Sequence, residues 1–171
     1  GRGYHAPEPE HEKVAEQATP PWKPDYAFAK NSRHMTPSIY GLERFSDLFT
    51  PRQLLALATF SDLVAEARER VYRDALEAGL PEDPTPLAEG GQGARAYAEA
   101  VGVYLAVAVD HLLNRESSLA TWDATRDTLR SVFARQALPM TWDFAEANPF
   151  SESSGSWEGM VDWVAKALET L

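Results

Sequence analysis

The stretch from Thr50 to Leu80, TPRQLLALATFSDLVAEARERVYRDALEAGL, constrains the fold more than any other, because it carries both a start and a stop for one long helix. Thr50 is a good N-cap and Pro51 suits the first helical position, where its missing N–H costs nothing. Gln53, three residues after the cap, completes a capping box. Gly79 stands where a left-handed C-terminal cap is wanted. Leu57, Phe60, Val64, Ala67 and Val71 recur at steps of three and four and define one apolar face. Asp62, Glu66, Arg70 and Arg73 lie mostly opposite. Glu66–Arg70 and Glu69–Arg73 are spaced for i,i+4 ion pairs, so the charge run predicts a solvated face.

The remaining chain is organised around that helix. Pro81 to Gly93, PEDPTPLAEGGQG, reads as a loop from its Pro and Gly content. A second helix is expected from about Ala94 to Asn114. It is apolar or small at nearly every position from Ala96 to Val109, with Glu99 the one charge, so a central, buried helix is expected. A third helix is expected through RESSLATWDATRDTLRSVFARQAL, with Ser117 or Ser118 as N-cap, one face marked by Trp122, Leu129, Val132, Phe133 and Gln136, and Pro139 ending it near Leu138. MTWDFAEA reads as further helical turns or a short strand. SESSGSW is a turn, and Trp157 to Leu171 forms a last amphipathic helix. Residues 1–37 form a Pro-rich arm, extended, with room for a short helix around His11–Gln17; Tyr4, Trp22, Tyr26 and Phe28 are candidates to pin it to the body. The expected fold is all-α: an extended arm, then a bundle-like helical domain over residues 38–171 with about four main helices.

At 171 residues the chain suits one domain, burying roughly 70% of its unfolded surface without staples. It has no cysteine, which excludes disulfides, cysteine zinc sites and a thiol nucleophile. No run of 18 or more purely apolar residues is present and no signal-peptide pattern precedes the first helix, so a soluble cytoplasmic protein with no membrane partner is expected. The formal net charge of −10 argues against a domain that grips DNA unaided, since such domains show a basic patch or total. The chain starts at Gly1 and stops at Leu171 with its helical pattern still running, so an internal segment of a larger protein is expected.

Each chemical motif has a plain structural counterpart. Glu89 to Gly93, EGGQG, is the one Gly-rich loop, but no strand precedes it and its spacing fits neither dinucleotide nor P-loop patterns, so it reads as a flexible connector. His5, His11, His34 and His111 form no metal-ligand spacing, and no metal site is expected. The serines of FSESSGSW lack a nucleophile-elbow pattern and read as loop and cap residues. Arg126, Arg130 and Arg135 could present a positive strip to phosphate, although Asp123 and Asp127 partly neutralise it. Asn148-Pro149-Phe150 has the letters of an Asp/Asn-Pro-Pro-Tyr/Phe tetrad with one proline missing, and reads as a turn begun by Asn148.

Two runs, IYGLERFSDLFTPRQLLALATFSDLVAEARERV and RQALPMTWDFAEANPFSESSGSW, carry a family resemblance. From about Ile39 to Leu171 the chain resembles the large adenine-specific DNA methylases of bacteria and archaea that begin with a conserved domain of unknown function. The resemblance implies that an S-adenosylmethionine loop lies upstream of this segment and an Asp-Pro-Pro-Tyr tetrad downstream. Neither is present here, so the resemblance transfers no catalytic and no cofactor-binding residue, and S-adenosylmethionine would belong to the parent protein.

Three readings follow. The first is a non-catalytic helical segment of such a methyltransferase that assists target positioning or cleft formation, touching DNA only within the parent. Trp142, Phe144, Asn148 and Phe150 are then candidates for a cleft wall, because these enzymes act on a flipped base that aromatics can stack against. The second is an acidic protein-interaction module docking onto the rest of the parent. The third, a free-standing enzyme, would require Asp143, Glu146 and His111 to converge in one pocket.

Overall fold

The computed structural model describes residues 5–29, 31 and 33–170. The chain is mostly α, with four α-helices among these residues: α1 (Pro9–Glu16), α2 (Pro51–Glu77), α3 (Ala94–Leu113) and α4 (Trp157–Leu168). A two-stranded antiparallel hairpin, β1 (Trp122–Asp123) and β2 (Thr128–Leu129), lies between α3 and α4.

Helix α2 forms as its caps dictate. The Thr50 hydroxyl accepts from the Gln53 N–H at 3.3 Å, and the Gln53 side-chain oxygen Oε1 accepts from the Thr50 N–H at 2.8 Å. At the other end Gly79 takes φ +90°, and Leu80 N–H closes back onto Ala75 O at 3.0 Å. This six-to-one bond is the Schellman closure that a left-handed residue permits. Twenty-seven residues make a rod of about 40 Å. Leu57 and Phe60 are buried, whereas Val64, Ala67 and Val71 are half-buried, because α3 covers that end from one side. The i,i+4 pair that forms is Arg70–Asp74, at 3.8 Å, in place of Glu66–Arg70. Arg68 reaches its sequence neighbour Glu69 at 3.7 Å.

Helix α3 runs antiparallel to α2. Leu112 packs on Leu57 and Phe60 near one end, and Gly102 meets the Arg68 side chain in the middle. The expectation of an α3 buried all round is corrected. Val103 is 57% exposed, and Tyr97, Tyr104 and Val107 are exposed beside it. Only the Ala98, Gly102, Ala108 and Leu112 side is sealed, by small residues that let α2 approach. Helix α3 is long and apolar enough to cross a membrane by length and composition, a property it shares with core helices of soluble proteins.

Residues 115–138 are not the expected helix. Asp123 accepts from both the backbone N–H and the hydroxyl of Thr125, at 3.1 and 2.6 Å, and Asp127 takes φ +50°, so the chain reverses into the hairpin. Short polar side chains compete for the backbone in this way, and they outweigh the apolar spacing. Ser117 is no N-cap. It is buried and donates to Leu48 O at 2.9 Å while accepting from Leu119 N–H at 3.2 Å.

Within residues 1–37, expected as an extended arm, α1 begins at Pro9, two residues earlier than the His11 expected from the sequence, because proline suits the first helical position. The His11 imidazole accepts from Glu8 N–H at 3.1 Å. Phe28 pins the arm: it is buried, sits edge-on to Phe45 at 4.6 Å, and the backbone pairs there through Ala27 and Arg44. Trp22 and Tyr26 are exposed, and Tyr4 lies outside the described residues.

Two apolar clusters make the core. One gathers Phe28, Leu48, Leu119 and Leu138 from irregular segments. The other gathers Leu57, Phe60 and Leu112 from helices, with Trp157 and Met160 of α4 against them. Phe49 packs on both.

Candidate functional site

The strap from Arg135 to Phe150 carries the candidate aromatics, and its backbone is stitched down at several points. Leu138 N–H donates to His34 O at 2.7 Å, and Leu138 O accepts from the Thr36 hydroxyl at 3.0 Å. Met140 N–H donates to the same hydroxyl at 2.8 Å. The Thr141 hydroxyl donates to Leu119 O at 3.1 Å, and Ala145 N–H donates to Ala120 O at 2.9 Å. Neither a helix nor a strand forms in residues 139–150; the strap borrows its partners from the arm and from residues 117–121.

Exposed aromatics stand on that fixed backbone. Trp142 is 73% exposed and leans edge-on against Tyr40 at 4.7 Å. Phe150 is 85% exposed and lies tilted near Phe60 at 6.0 Å, which in turn stacks on Trp157 at 4.7 Å. Phe144 is also exposed. The Asn148 side-chain oxygen accepts from Phe150 N–H at 3.0 Å, and Asn148 O accepts from the Ser151 hydroxyl at 2.8 Å. Its acceptor is therefore used inside a turn, as the Asn-Pro sequence predicts, and is not presented to an incoming amine.

Of the three candidate arginines, the fold brings two together. Arg130 and Arg135 line one recess of about 210 Å³ with Thr121, Ser131 and Thr141. Arg126 sits in the hairpin turn, away from the recess, so the expected strip of three arginines is not formed. Arg130 approaches the buried Asp123 at 3.3 Å, and Arg135 makes no ion pair among the described residues. Asp123 is held below the usual carboxylate range, first by its bonds from Thr125, with Arg130 adding a smaller pull.

Sequence reasoning missed a charged cluster beneath the strap. Arg52, in the first turn of α2, makes a fork-to-fork bond with Glu146, Nε to Oε1 at 2.6 Å and Nη2 to Oε2 at 2.8 Å. That bond is the main reason the Arg52 pKa is raised. Glu116 lies nearby and is only 1% exposed. Desolvation, then repulsion from Glu146, push its carboxyl up to about 8, against a weaker pull from Arg52. Glu116 Oε1 and the Gln53 amide nitrogen are both buried without a partner among the described residues. One signal was available: Glu116 directly precedes the paired serines at the end of an apolar helix. Its burial comes from tertiary packing, which local sequence does not encode.

The enzyme constellation does not assemble. Glu146 is spent on Arg52, Asp143 is exposed, and His111 faces a separate cavity at the end of α3. The EGGQG connector is tightly packed. Gly91 N–H donates to Pro86 O at 3.0 Å, Ala94 N–H to Pro81 O at 2.9 Å, and Arg95 Nη1 to Pro84 O at 2.6 Å. A Cβ on Gly91 would run into Thr85 O, and one on Gly93 would lie 2.5 Å from Pro81 O. Gly91 and Gly93 thus face their own loop at contact distance, whereas Gly90 has open space beside it. The chain matches no family model, no curated protein and no solved structure.

Proposed function

We propose that this chain is a non-catalytic helical segment of an S-adenosylmethionine-dependent adenine DNA methyltransferase, working in the cytoplasm as a wall of the parent's catalytic cleft. The observation that carries the reading is the aromatic strap: Trp142 and Phe150 stand exposed on a backbone tied down at Thr36, Leu119 and Ala120. Aromatic faces held in advance lose little entropy when a base or a neighbouring domain covers them. The recess with Arg130 and Arg135 adds a phosphate contact of limited strength, because Asp123 offsets one of the two charges. Cofactor and catalytic tetrad belong to the flanking protein in this reading, and no chemical step is assigned to these residues. The family assignment rests on the two sequence runs quoted above.

With a net charge of −10, the chain has little affinity for DNA by itself. Titration of labelled duplex at low salt gives the test. The chain alone leaves the duplex free, and the protein with its flanking sequence binds it. Tight binding by the chain alone would contradict a supporting role.

A second reading has its own support. The exposed apolar side of α3, with Tyr97, Val103, Tyr104 and Val107, is what a protein-docking module presents. Val103→Glu distinguishes the two: it would abolish docking in the second reading and leave DNA methylation intact in the first.

A further inference from the structure

We propose that the cavity between the end of α3, the hairpin, the serine loop and α4 binds a nucleoside monophosphate, a flat ring joined to an anionic group. Its volume is about 440 Å³, within the range of ligand sites. Its walls come from four separate pieces of chain: His111, Asn114 and Arg115 from the end of α3, Thr128 and Ser131 from the hairpin, Ser154 and Gly155 from the serine loop, Met160 and Trp163 from α4. They are fastened to one another. The Arg115 guanidinium donates through Nη1 to Leu129 O, Leu129 N–H donates to the Ser154 hydroxyl at 3.1 Å, and Phe133 N–H donates to the Asn114 side-chain oxygen at 2.8 Å.

Those bonds determine what is left for a ligand. Asn114 and Ser154 each accept one of these bonds, while the Asn114 amide N–H groups and the Ser154 O–H donate to no described residue and are left for a ligand. Arg115 uses one N–H on Leu129 and keeps others, and the Ser131 hydroxyl donates to no described residue. No carboxylate lines the cavity, although the chain has 26 acidic residues against 16 Lys and Arg. Donors converging beside an arginine call for an acceptor-rich, negatively charged group. Trp163 is 70% exposed at the rim, one helical turn from Met160, and offers an indole face to a flat ring. Gly155 keeps the wall close. It has φ +87°, and a Cβ there would lie 2.6 Å from the Ala147 Cβ and 3.2 Å from the Arg115 Cβ.

A ring on Trp163 with its anion toward Arg115 describes a nucleoside monophosphate, either free or as one unit of a single strand. Calorimetric titration with AMP, adenosine, inorganic phosphate and a short single-stranded oligonucleotide tests this on the whole chain. AMP is expected to saturate the cavity and to bind more tightly than adenosine or phosphate, and binding of the oligonucleotide at least as tight as AMP would point to the strand as source. Trp163→Ala should weaken AMP about tenfold and Trp163→Phe much less, as loss of one stacked base predicts. The exposure of Trp163 makes both variants safe for folding, and circular dichroism checks it. No saturable heat with AMP at 10 mM (roughly the weak end of specific binding), or equal binding by wild type and Trp163→Ala, would overturn the proposal.

Discussion

Glu116 sits close to both Arg52 and Glu146. Its carboxyl is buried, its pKa is raised to about 8, and one of its oxygens has no partner among the described residues. A raised carboxyl pKa means the folded state holds a proton that the unfolded state releases. The contribution is therefore fully present below the ordinary glutamate pKa, is lost progressively as pH rises toward 8, and stays lost above it. Glu116→Gln keeps the shape and removes the charge. Denaturant titrations should show the variant matching wild type near pH 4 and exceeding it by a few kcal/mol near pH 9; a wild-type advantage at pH 9 would show that the charged form is satisfied. Glu146→Gln tests the neighbour. It removes a repulsion and frees Arg52, so the Glu116 titration seen by NMR should move down, with stability falling by about 1 kcal/mol for the lost fork.

At the level of elements, the structure separates what local chemistry decides from what packing decides. The bounds of α2 are legible in Thr50, Pro51, Gln53 and Gly79, because caps are local devices and every partner lies within five residues. Thr50→Ala should cost about 1 kcal/mol in chemical denaturation, from loss of the side-chain cap. The starts of α3 and α4 are also readable, whereas α4 ends at Leu168, short of the expected Trp157–Leu171 span. The segment 115–138 is not readable, because its apolar spacing fits a helix while the bonds from Thr125 to Asp123 turn the chain locally and a distant partner, Leu48 O, holds Ser117 at 2.9 Å. Hydrogen exchange checks this directly. The amides of Arg130 and Ala145 should be protected, and those of Ala124 and Ala134 should exchange fast, with no continuous run of slow amides from 118 to 137. The candidate aromatics were legible as residues, but their exposure was not. Trp142 and Phe150 resemble core residues until the strap is seen pinned by its backbone, with side chains outward.

The whole molecule is two cores sharing one residue. Phe49 touches the irregular cluster around Leu48 and the helical cluster around Leu57, and lies 6.5 Å from the Phe133 ring. Phe49→Ala should cost about 3 kcal/mol and lower the unfolding temperature of both halves together, read by near-ultraviolet circular dichroism. Loss of signal from one half alone would show that the cores fold independently. The same organisation assigns the surfaces: the irregular core presents Trp142 on its strap, and the helical core presents the apolar side of α3. On the function proposed above, the strap and not the apolar side of α3 would line the methyltransferase cleft, which single-turnover methyl transfer to adenine in duplex DNA, by the protein with its flanking sequence, tests. The account predicts that Trp142→Ala with Phe150→Ala slows transfer at least about tenfold, the scale of one lost base stack, while Val103→Glu leaves the rate unchanged. An unchanged rate in the aromatic double variant would contradict it.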